Sequence, residues 1–283
     1  MNIIDCKKIR DNMMELAKAK VQSITKTMKL VVIQVEGDGA SDIYVRNKKK
    51  ACEKVGILFE HIKFKRDIDF ETLSKVIKSC NSDVSVTGIM LQLPLPDHLK
   101  PYEQDLINLI DWKKDVDGLT TENVGRLWTN QQCIEPCTAK GIMELIPYDL
   151  KGKTVGLIGR SNLIGKPLTK MVLDKDGTVI VCHSKTQGNA LSTLIENSDI
   201  VVLATGNGGV YGPSLFKYDT VIIDAGISKN EEGKVCGDFW IPEGRFNDYN
   251  ITYTPVPGGV GIITVAQLML NIVKAYELQY RLI

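Results

Sequence analysis

The chain has 283 residues, 43% of them hydrophobic and 24% charged, with 35 Lys and Arg against 34 Asp and Glu. That length buries a substantial core and predicts two domains, while the balanced charge argues against a general nucleic-acid surface or a polybasic membrane face. No uninterrupted apolar run approaches the roughly 20 residues that cross a bilayer, and residues 1–20 lack the apolar core of a signal peptide, so a cytoplasmic protein is expected.

At the start of the chain Ile9, Met13, Leu16 and Ala17 recur at helical spacing and predict an amphipathic helix. Strands and helices then alternate. Residues 29–36 read as a buried strand, Gly37-Asp38-Gly39 as the loop ending it, and a helix runs from Ser41 or Asp42 to Val55, closed by Gly56. Strand 57–64, helix 70–80 and strand 88–93 follow, the last stopped by Pro94 and Pro96; then come helix 105–110, a charged loop at 113–118 and helix 137–148.

The second half continues in the same way. It has strands at 154–158, 178–182, 199–204, 220–225 and 251–254, with helices ending at Asp174 and spanning 191–197. A final helix, 264–277, carries Val265, Leu268, Ile272 and Ala275 in phase. This alternation predicts an α/β protein with mostly parallel sheets. An N-terminal α/β domain would hold residues 1–138, with the C-terminal helix (265–283) returning to it, and a Rossmann-like domain would hold 139–264. The seven cysteines are odd in number and include no C-x-x-C pair, which fits reduced thiols; Cys133 and Cys137 have no histidine nearby, so no metal site is expected.

Strand 154–158 runs into Gly159-Arg160-Ser161-Asn162-Leu163-Ile164-Gly165, and Pro167 suits the first turn of the following helix. Strand, glycine turn, helix, strand is the unit that sets a pyrophosphate against a helix N-terminus. Gly159 permits the tight turn, Ser161 stands where the second glycine of the fingerprint would be, and Gly165 allows close packing. An NAD site carries an acid about 20 residues on, but no acid lies between Asp176 and Glu196. His183, Ser184 and Lys185 stand there instead, with Arg160 after the first strand. That rim suits the 2′-phosphate of NADP.

Four features of the rest of the chain have chemical potential. Tyr44 and Lys48 are four residues apart and share a helix face, although spacing alone favours an ordinary amphipathic surface. Gln92 ends an apolar strand where open α/β sheets bind ligands, or else it is a core amide satisfied by backbone. Lys114-Asp115-Val116-Asp117-Gly118 is a solvated turn unless one acid, alternating with Val116 and Leu119, faces inward. Pro255-Val256-Pro257-Gly258-Gly259-Val260-Gly261 allows backbone to approach a ligand, or forms a tight structural turn.

Tyr44-Val-x-x-Lys48, Gln92-Leu-Pro-Leu-Pro96, Lys114–Gly118, Pro136-Cys-Thr138, Gly159-Arg-Ser161, His183-Ser184 and Thr254–Gly261 occur in an order that resembles the bifunctional methylenetetrahydrofolate dehydrogenase/cyclohydrolase family over nearly the whole chain. The resemblance implies an NADP-dependent oxidation of 5,10-methylenetetrahydrofolate and hydrolysis of the methenyl product to 10-formyltetrahydrofolate, a step of one-carbon metabolism that serves purine biosynthesis, by a cytoplasmic homodimer without nucleic-acid or membrane partners. It implies that Lys48 is the general acid/base, that Tyr44 stacks on the aminobenzoyl ring, that Gln92 holds and tunes Lys48, and that Asp117 binds the pterin's amino edge. Ser41 would line the same pocket, and Gly258 and Gly259 would border folate and nicotinamide. Gly159, Arg160, Ser161, Gly165, His183 and Ser184 would bind NADP, with Arg160 and Ser184 on its phosphate. The chain departs from the family pattern at Asn47, Ala139, Leu163-Ile164 and Ile262-Ile263; the second and last of these bear on loop geometry, and Asn47 on pocket polarity.

Overall fold

The computed structural model describes residues 1–37, 39–241 and 250–280. In chain order the elements are β1 (Asn2–Ile3), α1 (Cys6–Gln22), β2 (Lys29–Val35), α2 (Gly39–Val55), β3 (Leu58–Phe64), α3 (Phe70–Ser82), β4 (Gly88–Leu91), α4 (Glu103–Asn108), α5 (Thr121–Trp128) and α6 (Cys137–Leu145). The chain continues with β5 (Thr154–Ile158), α7 (Gly165–Leu173), β6 (Thr178–Cys182), α8 (Gly188–Asn197), β7 (Ile200–Leu203), β8 (Val221–Asp224), β9 (Ser228–Lys229), β10 (Val235–Cys236), β11 (Thr252–Tyr253) and α9 (Val260–Gln279). The chain is α/β throughout and divides into two compact units, residues 11–137 with the chain from Val265 on, and residues 1–10 with 138–264.

The first of these units holds a three-stranded parallel sheet in the order β3-β2-β4. β2 is central and buried from Leu30 to Val35, which explains its run of β-branched and aliphatic residues, interrupted by Gln34, whose amide donates to Asp42 Oδ1 at 2.9 Å. Val31, Ile33 and Val35 pack with Leu73 and Ile77 of α3, Ile89 and Leu91 of β4, and Leu106 and Ile107 of α4. The N-terminus of α3 is capped by Asp69, whose carboxylate accepts from Thr72 N at 2.8 Å. The buried face of α1 runs through Cys6, Met13, Met14 and Ala17, whereas Leu16, expected inside, is 51% exposed. At 100° per residue Leu16 lies on the far flank of the stripe that Cys6, Met13 and Ala17 define.

In the second unit six parallel strands run β1-β11-β8-β7-β5-β6. The strand order reverses at β5, between β6 and β7, the position at which open α/β sheets take their ligands. Residues 1–10 had been expected with residues 11–138, but β1 adds to this sheet. Asn2 N donates to Ile251 O at 2.7 Å and Ile4 N to Tyr253 O at 2.8 Å, satisfying the edge of β11.

Three further features depart from the sequence reading. α5 was not foreseen; Thr120 caps it by accepting from Asn123 N. β9 and β10 form a small antiparallel pair within the stretch between β8 and β11. The last helix begins at Val260, inside the glycine loop, rather than at Thr264. Of the Gly37–Gly39 loop, Asp38 lies outside the described residues, and Gly39 already belongs to α2. By length and composition α9 is apolar enough to cross a bilayer, but most of it is buried within the protein, as in a core helix.

Candidate active site

α2 presents Ser41, Val45, Lys48, Cys52 and Val55 to the interior, all 7% exposed or less, at the spacing of one helical stripe. Lys48 thus occupies an apolar position, and the amphipathic-surface alternative fails for it. Its Nζ donates to Gln92 Oε1 at 2.7 Å, while Gln92 Nε2 donates to Leu93 O at 2.6 Å. The second bond turns the amide so that its oxygen faces the lysine. Gln92 N donates to Ile33 O at 2.8 Å, fixing the residue just beyond the end of β4. Burial lowers the pKa of Lys48, and the nearby Asp117 charge opposes that shift. Tyr44, one turn before Lys48, is half-buried, and Asn47 is exposed.

The two acids of the Lys114–Gly118 loop have different work. Asp115, 1% exposed, accepts from Gly118 N at 3.0 Å, Thr120 N at 2.8 Å and Asn123 Nδ2 at 2.9 Å. It is the acid that faces fully inward, and it ties the loop to the start of α5. Asp117 is only half-buried and titrates against Lys48. Removal from water pushes its pKa up to about 6, the Lys48 charge pulls it down, and Asp115 adds to the rise.

The loop is pinned on several sides. Ile89 N donates to Lys114 O at 2.7 Å, so the loop lies along the free edge of β4. Gly88 permits this approach, because a Cβ there would stand 2.4 Å from Val116 Cγ1. Lys114 Nζ donates to Asn81 O and Asp83 O, both at 2.8 Å, at the carboxyl end of α3, where a cation offsets the helix dipole. Cys137 lies against the same loop. Its N donates to Asp117 O at 3.2 Å and its Sγ to Val116 O at 3.2 Å. Burial and the Asp117 charge hold its thiol well above the usual range, which keeps it protonated.

In the other unit β5 and β6 end side by side, with Gly159 N donating to Cys182 O at 2.9 Å. Arg160 and the His183–Ser184 pair therefore follow neighbouring strand ends, and Arg160 and Ser184 are exposed. Gly159 has φ +140°, and a Cβ on Gly165 would stand 2.3 Å from Gly159 O, so α7 packs directly against the turn. Ser161 Oγ accepts from Ile164 N at 3.1 Å and shapes the turn in place of a glycine. His183 is fixed by Lys185 N donating to its Nδ1 at 3.1 Å and by its own N donating to Thr186 Oγ1 at 2.9 Å. A bare turn at a helix N-terminus, with a guanidinium and a hydroxyl on its rim, fits a dinucleotide that carries an extra phosphate.

The 255–261 loop belongs to this unit too. Thr254 anchors it by accepting from Asp224 N at 2.8 Å. Gly258 has φ +102°, and a Cβ on Gly259 would stand 2.3 Å from Pro255 O. The departures at Ala139 and Ile263 are absorbed in the core: both are fully buried, and Ile263 packs against Gly141 of α6.

Sequence reasoning set Cys137 aside for want of a histidine and passed over Lys114. It also missed Asn271 and Gln267, two polar residues four apart on the apolar face of α9, whose buried position was the available signal.

The family model of the tetrahydrofolate dehydrogenase/cyclohydrolase catalytic domain matches residues 4–117, and that of the NAD(P)-binding domain of the same family matches residues 136–280. A bifunctional protein FolD of Agathobacter rectalis is 41% identical over 98% of this chain and 99% of its own. Among solved structures, the bifunctional FolD methylenetetrahydrofolate dehydrogenase/cyclohydrolase of Campylobacter jejuni is 36% identical with a TM-score of 0.90, covering 99% of both chains. The FolD of Trypanosoma brucei, solved with NADP and an inhibitor, is 28% identical with a TM-score of 0.85, covering 98% of this chain and 96% of its own.

Proposed function

The chain belongs to the tetrahydrofolate dehydrogenase/cyclohydrolase family, and from that premise we propose that it oxidises 5,10-methylenetetrahydrofolate with NADP and hydrolyses the methenyl product to 10-formyltetrahydrofolate. The observation that carries this reading is Lys48, a buried lysine paired to a neutral amide rather than to an acid.

NADP, when bound, accepts the hydride lost by the methylene carbon. Gly159, Arg160, Ser161, Gly165, His183 and Ser184 hold it, with Arg160 and Ser184 on the phosphate that distinguishes it from NAD. For hydrolysis, water adds to the cationic methenyl carbon and must shed a proton. Lys48 Nζ takes it and returns it to a ring nitrogen as that nitrogen's bond to the carbon breaks, while the hydroxyl left on the carbon sheds its own proton to solvent and becomes the formyl carbonyl. Burial favours the neutral amine that this role needs. Gln92 holds Nζ in place without the charge that would keep it protonated.

Asp117, largely ionised above its pKa of about 6, accepts from the pterin's N–H donors. Tyr44 stacks on the aminobenzoyl ring and Ser41 lines the pocket, a placement supported by their position on the Lys48 side of α2. Gly258 and Gly259 offer bare backbone to folate and nicotinamide. The seven free thiols support a reducing, cytoplasmic setting. We take the protein to be a homodimer, as the family resemblance implies, and light scattering tests this directly. The decisive experiment is turnover of methylenetetrahydrofolate with NADP and with NAD, followed by decay of methenyl absorbance. Turnover with NADP and faster-than-spontaneous decay are expected; absence of both refutes the reading.

A further inference from the structure

Asn271, 2% exposed on α9, directs one amide nitrogen at three acceptors: Val116 O at 3.0 Å, Glu135 O at 2.9 Å and Cys137 Sγ at 3.2 Å. Two of these are backbone carbonyls, which cannot donate, so the group facing them must be the NH2. The Asn271 oxygen then points the other way and accepts from Gln267 Nε2 at 2.9 Å. The orientation of both amides is thus dictated by backbone.

All three acceptors belong to the frame around Asp117. Val116 O is the carbonyl immediately before it. Cys137 donates to that same carbonyl through Sγ and to Asp117 O through its backbone N. Glu135 O lies in the segment against which Gly118 packs, where a Cβ would stand 2.6 Å from Glu135 C. One side-chain amide therefore joins the two stretches of chain that hold Asp117 on either side.

We propose that Asn271, oriented by Gln267, is a positioning residue for Asp117, so that α9 sets folate affinity without touching folate. This rests on the reading of Asp117 as the folate-binding acid. Gln267→Glu keeps the volume and replaces the donor with an acceptor. Asn271 must then turn its NH2 toward the new carboxylate and its oxygen toward Val116 O and Glu135 O, which repels both carbonyls. Asn271→Leu removes the donor outright.

The test measures initial rates of NADPH formation with methylenetetrahydrofolate varied, for these two variants, for Asp117→Asn, and for each α9 variant combined with Asp117→Asn. Both α9 variants should raise the folate KM at least tenfold, with kcat and the NADP KM within threefold of the parent. Combined with Asp117→Asn, either should add no more than a further twofold, because coupled residues are non-additive. Should Asn271→Leu fail to fold, the volume-conserving Gln267→Glu decides. If Asp117→Asn raises the folate KM while the α9 variants do not, or if the effects multiply in full, the positioning role is overturned and Asp117 stands. If Asp117→Asn itself leaves the folate KM unchanged, the reading of Asp117 falls and this proposal with it.

Discussion

Lys48→Met keeps most of the buried stem and deletes the amine, so it separates chemistry from packing. The deletion orphans Gln92 Oε1, which loses a 2.7 Å bond at a cost of about 1–3 kcal/mol. It also removes an ammonium that burial already disfavours, as its lowered pKa records. These effects oppose each other, so the melting temperature should move by only a few degrees. Hydrolysis of the methenyl form should fall 10²–10⁴-fold, roughly 3–5 kcal/mol of barrier at 1.36 kcal/mol per decade. Oxidation should suffer less, because hydride transfer needs no proton shuttle. A coupled effect follows from Asp117. The Lys48 charge holds that acid's pKa down, so its loss lets the pKa climb above about 6. Part of the acid is then protonated near neutrality, and the folate KM of the variant should improve on going from pH 7 to pH 8.5. Methenyl absorbance decay and NADPH formation, each recorded across pH, report both effects. Equal losses of less than tenfold in the two activities would refute the assignment of Lys48.

Asp117 should make the folate KM of the parent rise as pH falls through about 6, because a protonated carboxyl no longer accepts the pterin donors; Asp117→Asn should give a higher KM that is flat through that range. The same group costs stability when ionised, since its folded pKa lies above the ordinary 3.8. That cost is absent below pH 4 and complete above pH 6, so Asp117→Asn should melt higher than the parent at pH 7. Asp115→Ala is expected to act on stability instead. Its loss leaves Thr120 N without a carboxylate partner at about 1–3 kcal/mol, or on the order of 2–10 °C for a unit of this size, with the NADP KM unmoved. A larger effect on the folate KM than on melting would mean that the two acids have been assigned the wrong way round. Arg160→Ala should raise the NADP KM roughly tenfold to hundredfold, the range of one charged hydrogen bond, while weak NAD-supported turnover barely changes. Equal weakening of both cofactors would end the reading of that rim as a phosphate site.

The dinucleotide unit was legible because its determinants are local. Gly159, Gly165 and the unbroken β5 and β6 signal a strand–turn–helix–strand in one stretch of sequence. The folate side was legible only in part. Spacing put Tyr44 and Lys48 on one face, but it could not show that Lys48 shares the buried stripe of Val45 and Cys52, since that depends on where β2 and β4 lie. The choice between Asp115 and Asp117 depends on α5, whose Thr120 cap was overlooked among loop residues. Asn271 was invisible for the same reason: a polar residue in an apolar helix gains meaning only from the carbonyls brought to it by residues more than a hundred positions away.

The chain also crosses between its two units more than once, and this affects how it can be made. Ile3 pairs with Tyr253, so the sheet that β1 completes is unavailable until β11 has left the ribosome. At about 5–20 residues per second the N-terminal strand waits roughly 10–50 s without its partner. The folate-side unit is likewise unfinished until α9 supplies Asn271 and Gln279, the latter donating to Thr87 O at 2.8 Å. The folate-side unit, most of which is made before residue 138, is therefore completed only after the last residue of the other unit, Thr264, has been added. Cutting the gene at a single point between Ile4 and Asn271 leaves one sheet lacking its edge strand or the Asp117 loop lacking its brace, so halves expressed separately should be recovered in folded form only when they are produced together.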